Sequence, residues 1–322
     1  MAEWLVEEGI GEHRAIRVEN GEIAAARLDW PGRLAAGQVI EAKLVQRSVG
    51  SARGMAQTDR GDDILLDRLP RDASEGASVR VAISRAAIAE RGRLKRAQGR
   101  STDEPLRPAP TLAGRLRDEG HSVTTVRHFP EGDWDALFAD AWSGAVDFAG
   151  GSLLFADTPA MTLIDIDGDT RDLSQAAIPA IASALRRFDM GGVIGIDFPT
   201  PEGKPARQAI DRALAEALAD WPHERTAING FGFVQLVARL TGPSLLQRIG
   251  RARIGAAARI LLRRAERLEG AGATLVTCHP AIKAKLKPEW LAELARRTGR
   301  EVRVQTAPAL AIEAGHAQLV ER

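Results

Sequence analysis

Two short apolar stretches each run into an aspartate: Met161-Thr162-Leu163-Ile164-Asp165-Ile166-Asp167-Gly168 and Gly191-Gly192-Val193-Ile194-Gly195-Ile196-Asp197-Phe198. Short apolar runs of this kind, bounded by turn residues, read as buried strands. A helix-length stretch separates them, so the pattern is strand, crossover helix, strand. That unit lays its strands parallel, with both C-terminal ends on one edge. Asp165 and Asp197 would then stand side by side where open α/β sheets hold their ligands. Adjacent carboxylates repel unless a cation lies between them, so the pair reads as a divalent-metal site. Mg2+ takes hard oxygen ligands, often one or two carboxylates, and keeps several waters; Mn2+ is the alternative metal. Asp167, two residues beyond Asp165, falls on the same strand face and joins the two as a candidate catalytic residue, in an outer role. A second interpretation is a strand-ending turn, Asp-Ile-Asp-Gly-Asp, whose carboxylates cap backbone N–H groups. A calcium loop does not fit, because Thr170 and Ala176 stand where it needs glycine and glutamate.

Cations lie near these aspartates in the chain. Arg171 follows the first strand, and Lys204 sits in a Gly-Lys-Pro turn before an expected helix over 205–218. Both are candidates for contact with a phosphate at the helix start, whereas Arg207 reads as solvated helix surface. A second basic group, Arg93, Lys95 and Arg96, and a third, Arg248, Arg251 and Arg253, could follow a phosphate backbone. Cys278-His279 looks like a ligand pair but lacks a third partner nearby, and reads as a buried cysteine ending a strand. His121, His128 and His223 have no spacing that suggests a triad or a zinc site.

The elements that position these residues follow from composition and punctuation. The 322 residues include 44% hydrophobic side chains, enough for two or three cores. No apolar run approaches the ~20 residues of a membrane span, and the N-terminus lacks a signal-peptide layout. Cys278 is the single cysteine, which excludes an intrachain disulfide and a cysteine-based zinc cluster. These features predict a soluble cytoplasmic protein. Net charge is +1, so bulk charge does not announce a nucleic-acid binder. There is no tyrosine, and aromatic residues are 4% of the chain, which limits stacking surface for bases.

Asn20-Gly21 between residues 13–18 and 22–28 predicts a hairpin. Short strands over 38–45, 54–59, 64–69 and 78–83 suggest a small closed barrel. A basic tail over 91–96 and a proline-rich linker follow. Strands then alternate with helices, which indicates α/β layers. A compact third unit has an arginine-rich helix over 256–268, strands at 273–277 and 301–305, a helix over 288–297 and a last strand or hairpin within 309–319.

From Gly150-Gly151-Ser152 to Pro243-Ser244-Leu245, through Leu163-Ile164-Asp165, Asp189-Met190-Gly191-Gly192, Ile196-Asp197-Phe198 and Phe231-Gly232, the chain resembles the ribonuclease E/G family. The likeness extends more weakly to 13–29, to 37–96 and to 259–320. It implies an α/β and β multidomain fold with four parts. An N-terminal hairpin and S1-type OB barrel for RNA would cover 1–98, and a linker 99–113. A deoxyribonuclease-I-like α/β catalytic domain would cover 114–247, and a small C-terminal α/β domain 248–322. It implies Mg2+ on Asp165 and Asp197, single-stranded RNA as substrate, and cleavage leaving a 5′-phosphate and a 3′-hydroxyl.

The chain departs from that family in several places. Residues 99–149 replace a longer region containing an RNase-H-like part and a pocket for a 5′-monophosphate, so cleavage independent of that phosphate is expected. Residues 247–251 replace the zinc-linking Cys-Pro-x-Cys, so no zinc is expected and any oligomer would not be zinc-linked. Asp167 stands for an asparagine, Gly230 for an arginine, and Pro199 and Thr200 for a second carboxylate. Gln57 and Leu65 stand for barrel aromatics. A rival reading is a non-catalytic RNA-binding protein of the same fold, and a third is a metal-dependent nuclease acting on DNA.

Overall fold

A computed structural model describes residues 3–321. Strands β1 (Trp4–Glu8), β2 (His13–Glu19) and β3 (Glu22–Asp29) form an antiparallel meander. Its tight turn is Asn20-Gly21, with φ of 55° and 82°, the left-handed pair that two-residue hairpins require. The chain then leaves this sheet for a closed five-stranded barrel of β4 (Val39–Arg47), β5 (Gly54–Gln57), β6 (Asp63–Asp67), β7 (Ser78–Arg85) and a later strand. Leu44, Ile64, Leu66 and Val81 fill the barrel.

The basic segment is not a tail. It is a small hairpin of β8 (Ile88–Glu90) and β9 (Arg93–Lys95), and β10 (Ala97–Ser101) then closes the barrel. β10 pairs parallel with β6 and antiparallel with β7. Its sequence, Ala-Gln-Gly-Arg-Ser, lacks the apolar alternation that marks a strand, which explains why local pattern reads it as linker.

After the barrel come α1 (Leu112–Asp118), β11 (Val123–Val126) and α2 (Trp134–Ser143). β11 pairs parallel with β1, giving the sheet order β11-β1-β2-β3. The N-terminal strands therefore share a sheet with residues from the segment 99–149, and the barrel is inserted between them in sequence. Thr111 and Asp133 cap α1 and α2 by accepting from Gly114 N and Ala136 N.

A six-stranded sheet follows, built from β12 (Ala145–Phe148), β13 (Gly151–Asp157), β14 (Thr162–Gly168), β15 (Gly192–Asp197), β16 (His223–Arg225) and β17 (Phe233–Ala238). Its order is β12-β13-β14-β15-β17-β16. Helix α3 (Leu173–Arg187) connects β14 to β15, and α4 (Gly203–Ala217) follows β15. Ile178, Ile181 and Leu185 repeat every three or four residues on the buried face of α3. This helix lies between β3 of the first sheet and strands of the second, and one core cluster runs through all three layers.

The last unit has α5 (Leu245–Arg251), α6 (Arg253–Glu266), β18 (Ala273–Cys278), α7 (Pro280–Lys283), α8 (Pro288–Thr298), β19 (Val302–Thr306) and β20 (His316–Val320). Its three strands run in the order β19-β18-β20.

Buried charge joins the two ends of the chain. Arg14 on β2 is 0% exposed, and pairs with Glu7 at 2.5 Å and Glu12 at 2.6 Å. Glu7 also meets Arg263 of α6 at 3.4 Å, and Arg263 reaches Asp135 of α2 at 3.1 Å. Beside this group Arg259 lies 4.1 Å from the Trp30 ring and 4.8 Å from that of Trp290. Burial there pushes the Arg259 pKa down to about 10. Removing one member of a buried ion group strands its partners without compensation. Arg14→Ala is therefore expected to cost roughly 3–5 kcal/mol, read as a lower urea midpoint; a loss below about 1 kcal/mol would contradict this account.

Candidate active site

β14 alternates buried and exposed residues. Thr162, Ile164 and Ile166 are buried, whereas Asp165 and Asp167 are exposed. In β15 Ile194 and Ile196 are buried, and Asp197 is exposed at the strand end. The parallel register pairs Leu163 with Gly195 and ends with Asp165 opposite Asp197. The two carboxylates thus share one face and one edge of the sheet, away from the isoleucines that pack on the helices. Among the described residues neither has a hydrogen-bond or ion-pair partner, so neither serves as a turn cap.

Asp167 lies beyond the last β14–β15 pair, and its register partner is Ser152 of β13. No group of three His, Cys, Asp or Glu residues among those described is gathered closely enough to hold a metal ion. What the edge supplies is two uncompensated hard-oxygen donors. That set fits Mg2+ with water or substrate oxygens completing its shell, and Asp165 and Asp197 are the residues that would hold it.

The floor beside the pair is apolar. A Cβ added at Gly195 would lie 2.5 Å from Phe233 Cζ and 2.9 Å from Leu163 Cδ2, so these two side chains close over the glycine. Phe233 is itself the register partner of Asp197.

Three cations lie in the segments after these strands. Arg171, in the turn from β14 to α3, and Lys204, in the first turn of α4, are both exposed. Arg207, one turn further along α4, is half-buried against the turn at Gly230, where its Nη1 would stand 3.3 Å from an added Cβ. None of the three has an ion-pair partner among the described residues. The N-terminal end of α4 adds partial positive charge.

The structure does not bring the second basic group to this edge. Arg93 pairs with Glu90 at 2.5 Å and donates to Pro159 O, in the turn before β14. That turn precedes the start of β14, whose fourth residue is Asp165. Lys95 also meets Glu90, and Arg96 meets Asp63. All three line a wide cleft of about 1390 Å3 with Trp30, Arg33, Arg239 and Arg248. Burial lowers the Arg248 pKa, against the opposing pull of Asp29. Arg251 pairs with Asp157, and Arg253 lies over the Trp142 ring, so these two serve packing. Arg33 and Arg239, which have no ion-pair partner among the described residues, carried no sequence signal, because only the meeting of distant segments places them on one cleft.

Two further positions resolve simply. Ser244 and Gln247 form a capping box that starts α5, and Gln247 Nε2 donates to Asp157. Cys278 is buried, and His279 Nδ1 accepts from Ala281 N as the cap of α7.

Fold and edge together define a mixed α/β protein with several sheets, a closed barrel and an exposed carboxylate pair where two parallel strands pair. No protein-family profile matches the chain. Its curated relatives include Ribonuclease G of Salmonella typhimurium (strain SL1344) and of Escherichia coli (strain K12), each 29% identical over 191 residues. These alignments cover 50% of this chain and 39% of each relative. Ribonuclease G of Haemophilus influenzae is 32% identical over 111 residues, covering 30% of this chain and 22% of the relative. The chain is similar to these ribonucleases over at most half of its length, and the matches span well under half of each relative. No helix among the described residues is long and apolar enough to cross a membrane.

Like charges directly opposite in a sheet destabilise it. In EDTA, Asp197→Asn is expected to raise the melting temperature slightly, by roughly 0.5–1 °C, the scale of a few tenths of a kcal/mol in a protein of this size. A lower melting temperature in calorimetry would mean that the carboxylate has a structural partner.

Proposed function

We propose that the protein is a metal-dependent endoribonuclease that hydrolyses single-stranded RNA at the Asp165–Asp197 edge. The observation that carries this reading is the parallel register that sets two exposed carboxylates opposite each other, neither with an ion-pair partner among the described residues. The relatives named Ribonuclease G support it. In this reading the barrel is an S1-type RNA-binding OB fold, and the six-stranded sheet with its helices is a deoxyribonuclease-I-like catalytic layer.

The reaction is attack of water on phosphorus with rupture of the P–O3′ bond, giving a 5′-phosphate and a 3′-hydroxyl. Mg2+, or Mn2+ in its place, would be held by Asp165 and Asp197, and when bound neutralises charge growing on the phosphoryl oxygens and orients the water. Lys204 and Arg171 are unpaired cations available to the phosphate, and a lysine beside a helix start suits that task. Asp167 accepts hydrogen bonds beside the pair and orients water there. Arg93, Lys95 and Arg96 guide the RNA along the barrel side of the cleft, exchanging the carboxylates of Glu90 and Asp63 for phosphates. Cleavage is independent of a 5′-monophosphate.

Two observations favour a second reading, a non-catalytic RNA-binding protein. Asp167 is not gathered with the pair into a three-carboxylate group, and the barrel carries Leu65 and Gln57 where bases would stack.

An end-labelled, unstructured RNA separates these readings. Cleavage with Mg2+ is expected, none with EDTA, and a loss of roughly 10²-fold or more in Asp165→Asn and Asp197→Asn, the scale of other single charge-stabilising groups. Mg2+ should also raise the melting temperature of the wild type and not of Asp165→Asn. RNA binding without any cleavage would select the second reading. A strong preference for 5′-phosphorylated over 5′-hydroxyl RNA would overturn phosphate independence.

A further inference from the structure

Phe231 is 81% exposed and is the only phenylalanine or tryptophan in the exposed class among the described residues. A single exposed apolar residue is ordinary, but this one is held rigidly. Asn229 Oδ1 accepts from Phe231 N at 2.9 Å and from Phe233 N at 3.1 Å. Gly232 N donates to Asn229 O, and Phe198 N donates to Gly232 O. Gly232 has φ of +96°, and a side chain there would collide with Phe198 O, so the turn lies directly on the backbone that follows Asp197. The ring is thus presented at the carboxylate edge by a backbone that cannot retract it.

The surroundings indicate what the ring meets. Arg207, without an ion-pair partner among the described residues, abuts Gly230 in the same turn, and Lys204 stands one turn earlier on α4. A flat apolar ring, an unpaired guanidinium beside it and a pair of metal-binding carboxylates match the three parts of a nucleotide chain: base, phosphate and scissile phosphate. We propose that Phe231 is a base-stacking residue, receiving the unpaired base of a nucleotide next to the scissile phosphate while Arg207 holds the adjoining phosphate. This rests on the reading of the Asp165–Asp197 edge as a site for RNA phosphodiesters. It also supplies a local reason for single-strand selectivity, since a base in a duplex cannot leave its stack to meet the ring. Stacking tolerates any base, because each has a π-face.

The test uses the full chain and unstructured RNAs that carry one abasic nucleotide moved stepwise along the strand. Phe231→Ala should lower kcat/KM about 5- to 150-fold, the range expected for one stacked base, with an unchanged melting temperature. Phe231→Trp should restore it. Wild type should lose a similar factor when the abasic nucleotide occupies one fixed position relative to the cut, and Phe231→Ala should be insensitive to that substitution. In parallel, RNA with 2-aminopurine at each position, bound in EDTA, should be quenched at one position by wild type and not by Phe231→Ala. Cleavage that needs Asp197 but is indifferent to Phe231 and to abasic nucleotides would overturn the stacking proposal and leave the nuclease reading standing. Without cleavage by wild type the nuclease reading falls, and the fluorescence decides alone: position-specific, Phe231-dependent quenching upholds stacking, and its absence overturns it.

Discussion

The parallel pairing of β14 with β15 is the constraint around which the molecule is arranged. Parallel neighbours cannot be joined by a tight turn, so the chain must cross over, and α3 is that crossover. The crossover returns the chain to the same end of the sheet, so both strands finish at one edge and bring Asp165 opposite Asp197. It also places an apolar helix on the sheet, whose outer side needs cover in turn. β3 of the N-terminal sheet provides it, and the shared core of Ile16, Ala26, Ile181 and Leu185 makes the two sheets and the helix one body. The carboxylates are exposed because they alternate with the isoleucines that anchor this core.

A second layer of order comes from buried charge. The N-terminal sheet is completed by β11, which enters the chain only after the barrel, and it is tied to the C-terminal unit through Glu7, Arg14 and Arg263. Such ion groups need not stabilise more than well-packed apolar side chains would. They do restrict partners, because a misdocked helix α6 would leave Glu7 facing no cation. The stacking of Arg259 between Trp30 and Trp290 acts at the same junction. Residues from both ends of the chain thus meet at this junction.

Charge elsewhere divides into two populations. Many arginines of the cleft and of α5 and α6 already meet carboxylates, carbonyls or rings, as Arg93, Arg248, Arg251 and Arg253 do. Lys204, Arg171 and Arg207, by contrast, follow the two aspartate strands in the chain and have no ion-pair partner among the described residues. A near-neutral chain can therefore present an anion-seeking edge, because pairing is distributed unevenly rather than because the chain is basic overall.

The sequence alone was enough for features set by neighbours in the chain: the Asn20-Gly21 turn, the two strands carrying Asp165 and Asp197, and the helix between them. Each depends on local dihedral preference or on apolar period, which a short window contains. Tertiary structure alone decided that β10, with its polar sequence, closes the barrel, since that strand is specified by the open edges of β6 and β7. It alone decided that β11 joins β1, that Arg93 and its neighbours face a cleft away from the carboxylates, and that Arg207 meets the turn carrying Phe231. Those arrangements arise from burial and pairing between segments far apart in the chain, and no local pattern encodes which distant surface a side chain will meet.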